Sequence, residues 1–258
     1  MVKGLEKFKE YFTEFTDNYV IIGGTACDII IEDAGFNPRA TKDIDMIIIV
    51  EAKSEEFIKN FWLFIKDGKY EKKEISADNR QYYRFVKPEI SDFPYQIELF
   101  SRNPDLKDLG EETHLTPIPV DEGLSSLSAI LLEDEYYHYL IKHSYIVNGI
   151  HIANTEALIV LKAKAWIDIN ERLSQGIFVE RRQLSKHKND IFRLVLMLDS
   201  GSYFNLHGKI KQDMQKFIKA VAHELPGKDI FKTMGIKGVN PESLFKQLKE
   251  SYKIDTEP

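Results

Sequence analysis

Residues 19–50, YVIIGGTACDIIIEDAGFNPRATKDIDMIIIV, decide how the rest of the chain is read. Tyr19–Ile22 is a short apolar run that stops at Gly23 and Gly24, which predicts a strand and a sharp turn. Residues 25–35 predict a helix closed by Gly35. Residues 43–50, DIDMIIIV, give the clearest strand signal in the chain, β-branched and almost wholly apolar after an acidic start. Asp43 and Asp45 are two apart on that strand, so both side chains point to one face, roughly 7 Å apart at Cα. Carboxylates that close repel, and a divalent cation relieves the repulsion. Mg²⁺ suits such a pair, because it takes hard oxygen ligands, commonly one or two carboxylates with substrate phosphates. Two such ions can support in-line phosphoryl displacement. The competing reading is a pair of solvated acids at a strand edge. Aspartate is a poor strand residue, which weighs against the competing reading.

Outward from this stretch the pattern is mixed. Residues 2–17 predict a helix, with Leu5, Phe8, Phe12 and Phe15 at three- and four-residue steps. Residues 54–68 predict an amphipathic helix with Ser54 as N-cap and Gly68 as stop. Residues 81–87 and 95–101 predict strands. On the second of these, alternation puts Gln96, Glu98 and Phe100 on one face. Glu98 can serve as a third metal ligand or as a general base, or be an exposed residue of a half-solvated sheet. Residues 128–134, SAILLED, and 145–153 extend the predicted β content, with Asn148-Gly149 as a two-residue hairpin signal. From Asn154 the character turns helical, with helices predicted over 155–173, 185–201, 209–225 and 241–252. The expected class is α+β: a mixed sheet with flanking helices over residues 1–153, then a helical bundle over residues 154–258.

The Gly23-Gly24-Thr25 turn sits between a strand and a helix. Glycines let the backbone approach a ligand closely, the helix start offers unpaired N–H groups, and Thr25 adds a hydroxyl. A tight turn with no ligand is the plain alternative. In residues 157–167, ALIVLKAKAWI, the only charges are Lys162 and Lys164. A helix apolar on nearly every side is buried. Lys162 shares a stripe with Leu158, Leu161, Ala165 and Ile169, so it needs an anionic partner, either a bound triphosphate or an acid such as Asp190, unless it snorkels to water. Lys164 lies nearly opposite and is expected to reach solvent.

Taken together, a strand ending in Gly-Gly, a helix, and a strand opening with Asp-x-Asp resemble the DNA polymerase β-like nucleotidyltransferase superfamily. More narrowly, Gly23-Gly24-Thr25-Ala26 followed by Arg39-Ala40-Thr41-Lys42-Asp43-Ile44-Asp45 is similar to the AbiEii/AbiGii toxin-type nucleotidyltransferases. The gap between glycines and acids is a few residues longer than in that pattern. The resemblance implies transfer of a nucleoside monophosphate from an NTP to an acceptor, such as tRNA, another protein or a small molecule. It implies Gly23, Gly24 and Thr25 at the triphosphate, Asp43 and Asp45 on Mg²⁺, and Glu98 as the third acid. Arg39 matches the arginine before the acidic pair. Lys162 with Ala165, and Lys188 with Asp190, match two later helical motifs. An antitoxin partner is a further implication, and an inactive nucleotide- or partner-binding scaffold is the alternative.

The bulk composition agrees with a globular protein. It is 43% hydrophobic and 29% charged, with a net charge of −6 and one cysteine, Cys27. An acidic balance does not suit a dedicated duplex-DNA binder. No disulfide framework, membrane span or signal peptide is expected, which together predict a cytoplasmic protein. His138, His143 and His151 lack metal-ligand spacing. The mixture of Arg80, Tyr82, Tyr83 and Arg84 suits either nucleotide stacking or an exposed basic strand.

Overall fold

The computed structural model describes residues 2–49, 52, 54–77, 80–101, 117–118 and 133–254. The chain forms two compact units. The first comprises Met1–Ile29, Ala40–Leu124 and Ile141–Ala153; the second comprises Ile30–Arg39, Ser125–Leu140 and Asn154–Pro258. The architecture is α+β, with a mixed sheet in the first unit and helices dominating the second.

Eight strands make the sheet of the first unit: β1 (Tyr19–Ile22), β2 (Asp43–Ile48), β3 (Glu71–Ala77), β4 (Arg80–Val86), β5 (Gln96–Ser101), β6 (Pro117–Ile118), β7 (Ser144–Val147) and β8 (Ile150–Ala153). Their order is β6-β3-β4-β5-β2-β1-β8-β7. The central pairings mix directions: β1 is antiparallel to β2, β2 parallel to β5, and β4 antiparallel to β5. Strands β1 and β2 are central and almost wholly buried, which is why they read as continuous apolar runs.

Helix α1 (Leu5–Phe12) packs against α3 (Glu55–Asp67). Phe8 and Phe12 stack at 4.4 Å and meet Phe64 at 6.0 and 5.2 Å, so aromatic burial holds this layer together. The long first helix expected over 2–17 is broken. Phe12 leaves helical geometry at ψ 1°, and a 3₁₀ segment, Thr13–Asn18, follows. The Thr13 hydroxyl turns back to the carbonyl of Lys9, a local bond that competes with helix continuation. Ser54 caps α3 as expected, accepting from the Phe57 amide at 3.1 Å. The Asn148-Gly149 hairpin between β7 and β8 also forms, with both residues at positive φ (50° and 76°). Of the expected strand at 128–134, residues 128–132 lie outside the described residues. Asp134 instead opens helix α4 (Asp134–Lys142).

Helix α2 (Gly23–Asp33) starts at the glycines and closes as expected, with Gly35 at φ 81° and the Phe36 amide bonded to the Ile31 carbonyl. In the second unit α5 (Thr155–Ser174) packs against α6 (Arg181–Val195) and α7 (Gly208–Val221); a short α8 (Asp229–Lys232) and α9 (Pro241–Ser251) follow. Asn154 caps α5 through the Ala157 amide at 2.8 Å. Helix α6 begins four residues before the expected Ser185 and ends at Val195. Among the described residues no helix is long and apolar enough to cross a membrane.

Candidate active site

The acidic residues of the first unit form one row across the sheet. Ile22 on β1 pairs with Asp45 on β2, Asp45 with Glu98 on β5, and Glu98 with Arg84 on β4. Side chains opposite one another in a ladder share a face, so Asp45, Glu98 and Arg84 project together. Asp43 lies two residues before Asp45 and in register with Gln96, on that same face. Asp43 and Asp45 are half-buried, whereas Glu98 is buried.

The glycine turn meets the acids directly. Gly23 has φ 68°, a left-handed conformation that a Cβ disfavours. A Cβ there would collide with Oδ2 of Asp45 and stand 2.9 Å from its Cγ. Glycine is thus required twice, once for the backbone and once for the carboxylate packed onto it. Thr25 is fully buried, and its hydroxyl donates to the carbonyl of Asp43 at 2.5 Å. The side chain expected to face a phosphate therefore ties the turn to the acidic strand. Asp28, buried on α2, accepts from the Thr41 amide at 2.6 Å and pins the approach to β2. Cys27 is buried, with its thiol on the Gly23 carbonyl at 3.1 Å.

Glu98 has partners of its own. Its Oε1 accepts from Nε of Arg84 at 2.9 Å and from Nε2 of Gln96 at 2.8 Å. Among the described residues no three His, Cys, Asp or Glu side chains are gathered to hold a metal ion. Both bonds fall on Oε1 of Glu98, and Asp43 and Asp45 stand in the same region of the sheet as a two-carboxylate pair. That pair fits Mg²⁺, which fills its other positions with water and phosphate oxygens.

The second unit brings Arg39, Lys162 and Asp190 together. Nζ of Lys162 donates to Oδ2 of Asp190 at 2.9 Å, with both side chains buried. Arg39 and Arg193 approach Oδ1 of Asp190 at 3.3 and 3.2 Å. Burial works against the Asp190 charge, but Lys162, Arg39 and Arg193 outweigh it and hold its pKa down at about 2. His187, one turn earlier on α6, is also buried. Loss of water, reinforced by the Lys162 charge, pushes its imidazole down to about 3, so it is neutral. Of the two anionic partners considered for Lys162, this structure supplies the acid.

Contrary to expectation, Lys164 is not solvent-exposed; its side chain is only 11% exposed. It is buried and donates to Asp168 at 2.6 Å, with Asp213 at 3.8 Å. Residues 157–167 of α5 are apolar apart from the two lysines, and the helix packs against α6 and α7, so Lys164 lies among acids of the helical layer. His151 sits between the Thr16 carbonyl and the Ser144 hydroxyl, each at 2.8 Å, and His138 on the carbonyl of Asp134. The side chains of Arg80, Tyr82 and Tyr83 lie outside the described residues.

No family model and no curated protein matches the chain. Solved structures that overlap it include two nucleotidyltransferase-type proteins. An antigenic nucleotidyltransferase-like protein from Paracoccidioides brasiliensis aligns with TM-score 0.44 and 15% identity over 95% of this chain and 99% of its own. The Megavirus polyadenylate synthase aligns with TM-score 0.41 and 12% identity over 86% of this chain and 36% of its own.

Three residues at these sites escaped sequence reading. Arg193 and His187 lie three positions either side of Asp190, a helical spacing that puts all three on one face. That spacing is visible once Asp190 is singled out. Arg84 stood out only as part of a basic strand; its pairing with Glu98 depends on the β4–β5 register, which no motif encodes.

Proposed function

We propose that the chain is a Mg²⁺-dependent nucleotidyltransferase that moves a nucleoside monophosphate from an NTP to an acceptor. The observation that carries this reading is the packing of the Asp45 carboxylate onto the Gly23 turn, in register with Glu98. A phosphate-sized ligand at the start of α2 meets backbone N–H groups and the positive end of the helix dipole. In this reading Gly23 and Gly24 leave room for the triphosphate, Thr25 holds the turn to the strand, and Asp43 and Asp45 hold the cation. The bound Mg²⁺ supplies charge neutralisation at the transferred phosphoryl group. The acceptor nucleophile attacks the α-phosphorus, the α–β phosphoanhydride bond breaks, and pyrophosphate leaves. Arg39, Lys162 and Asp190 serve nucleotide binding, with Asp190 orienting the cations. Residues 1–153 are the catalytic domain and residues 154–258 a helical domain. RNA such as tRNA, a protein or a small molecule is the acceptor, in a cytoplasmic, toxin–antitoxin setting with an antitoxin partner.

The test is incubation with each α-labelled NTP, Mg²⁺ and cell extract containing RNA and protein. The expected result is label on one acceptor class with release of pyrophosphate, lost in Asp45→Asn. A second reading, an inactive nucleotide-binding scaffold, draws support from Glu98 being engaged by Arg84 and Gln96. Mg²⁺-dependent NTP binding with no labelled acceptor would favour it.

A further inference from the structure

Glu98 is 5% exposed, and a buried carboxylate is costly unless a cation and hydrogen bonds compensate it. Arg84 supplies the cation from the neighbouring strand at 2.9 Å, and Gln96 the second donor at 2.8 Å, both to Oε1. The register fixes the competition: Glu98 has Asp45 beside it on β2 and Arg84 beside it on β4. The carboxylate therefore stands between an acid that would recruit it to a shared cation and a guanidinium that holds it. The guanidinium has it here, and no three-acid cluster is formed among the described residues.

We infer that Arg84 is a positioning residue of the acidic site: by holding Glu98 it limits the divalent-cation site to Asp43 and Asp45, and its removal turns a two-carboxylate site into a three-carboxylate one. This rests on the reading of Asp43 and Asp45 as cation ligands. Arginine suits the task because its charge is permanent and its planar fork fixes the direction of the bond. Gln96 stands two residues from Glu98 on the same face of β5 and restrains the carboxylate from its own strand.

The experiment is titration of the full chain with Mn²⁺ alone, followed by electron paramagnetic resonance of the free ion, so no turnover is needed. Arg84→Ala is expected to tighten Mn²⁺ binding by about tenfold, since a further carboxylate raises affinity for a hard cation. Glu98→Gln in the otherwise native chain is expected to change affinity by less than about twofold, because Glu98 is not among the ligands. Arg84→Ala with Glu98→Gln is expected to lose the gain, and Arg84→Lys, which keeps the charge without the planar fork, to show only part of it. A gain in affinity is not what simple loss of structure produces. Should Arg84→Ala fail to fold by circular dichroism, the Glu98→Gln arm decides alone. Weakening by Glu98→Gln as severe as that by Asp45→Asn, or no gain in folded Arg84→Ala, overturns the assignment of Arg84 while leaving the cation site in place. Unchanged Mn²⁺ binding in Asp45→Asn overturns the cation site itself and the inference with it.

Discussion

The two units treat their acids in opposite ways. In the second, Asp190 is sealed from water and ringed by Lys162, Arg39 and Arg193 at 2.9 to 3.3 Å. In the first, Asp43 and Asp45 stand half-buried on a sheet face, two residues apart, with Asp45 against a glycine turn. A carboxylate compensated in the interior stiffens the fold, and losing one partner leaves a stranded charge. Two like charges side by side at a partly open face also repel one another, which a bound cation relieves. Glu98 lies between these cases: it belongs to the acidic row but is compensated in the manner of Asp190.

The contrast makes opposite forecasts for stability and activity. The largest effect is expected from Lys162→Met, which strands Asp190 in the interior and should cost about 3–5 kcal/mol in urea denaturation. Replacing both partners with apolar residues, Lys162→Met with Asp190→Leu, should recover much of that loss. Asp45→Asn should do the reverse. Nucleotide transfer should fall by about 100-fold or more, as when a preorganised group at the reacting centre is removed. Its stability should change by less than about 2 kcal/mol, short of the loss in Lys162→Met. A several-kcal/mol loss in Asp45→Asn with little change in Lys162→Met would erase the distinction between the units.

Acid should reveal the second unit's buried groups. The folded protein keeps His187 neutral down to about pH 3, while an unfolded chain protonates it near its ordinary value of 6.5. Between those values the unfolded state binds the extra proton, so stability falls as pH drops. The slope should approach about 1.4 kcal/mol per pH unit below pH ~6. Asp190 adds to the loss only lower down. Its contribution is present above its ordinary value of 3.8 and disappears as pH falls through about 2. His187→Gln should flatten the slope between pH 6 and 4 in denaturation series; an unchanged slope would assign the acid sensitivity elsewhere. The smallest effect is expected from the helix caps. Ser54→Ala in the first unit and Asn154→Ala in the second should each cost about 1 kcal/mol in the same assay.

Features with a local cause were legible in the sequence. Ser54, Gly35 and Asn148-Gly149 each act over a few residues, and all three behave as read. Strand alternation placed Glu98 and Gln96 on one face, and the register puts that face level with Asp45 and Asp43. What escaped depends on distant partners. Strand β3, EKKEISA, has little apolar alternation and was not recognised; its pairing with β4 defines it. Helix α4, DEYYHYLIK, carries three tyrosines and a histidine, weak helix formers, and gains its place by burying Tyr136, Tyr137 and Leu140. Lys164 reads as solvent-seeking because it lies opposite the Lys162 stripe; its close partner Asp168 is four residues on, but Asp213, which also approaches it, is almost 50 residues away. The Lys162–Asp190 pair could be raised as one option, since Lys162 falls within an apolar stretch of helix and needs an anion, but the choice between an acid and a ligand needed coordinates.

The two units are interleaved along the chain, and this bears on how the protein is made. Residues 30–39 and 125–140 belong to the second unit yet are synthesised before most of it. The amide of Asn37 must wait for the carbonyl of Met234. During translation the first unit's sheet has every strand available once residue 153 has emerged, whereas residues 30–39 of the second unit precede most of that unit along the chain. Long-range closure of this kind slows folding.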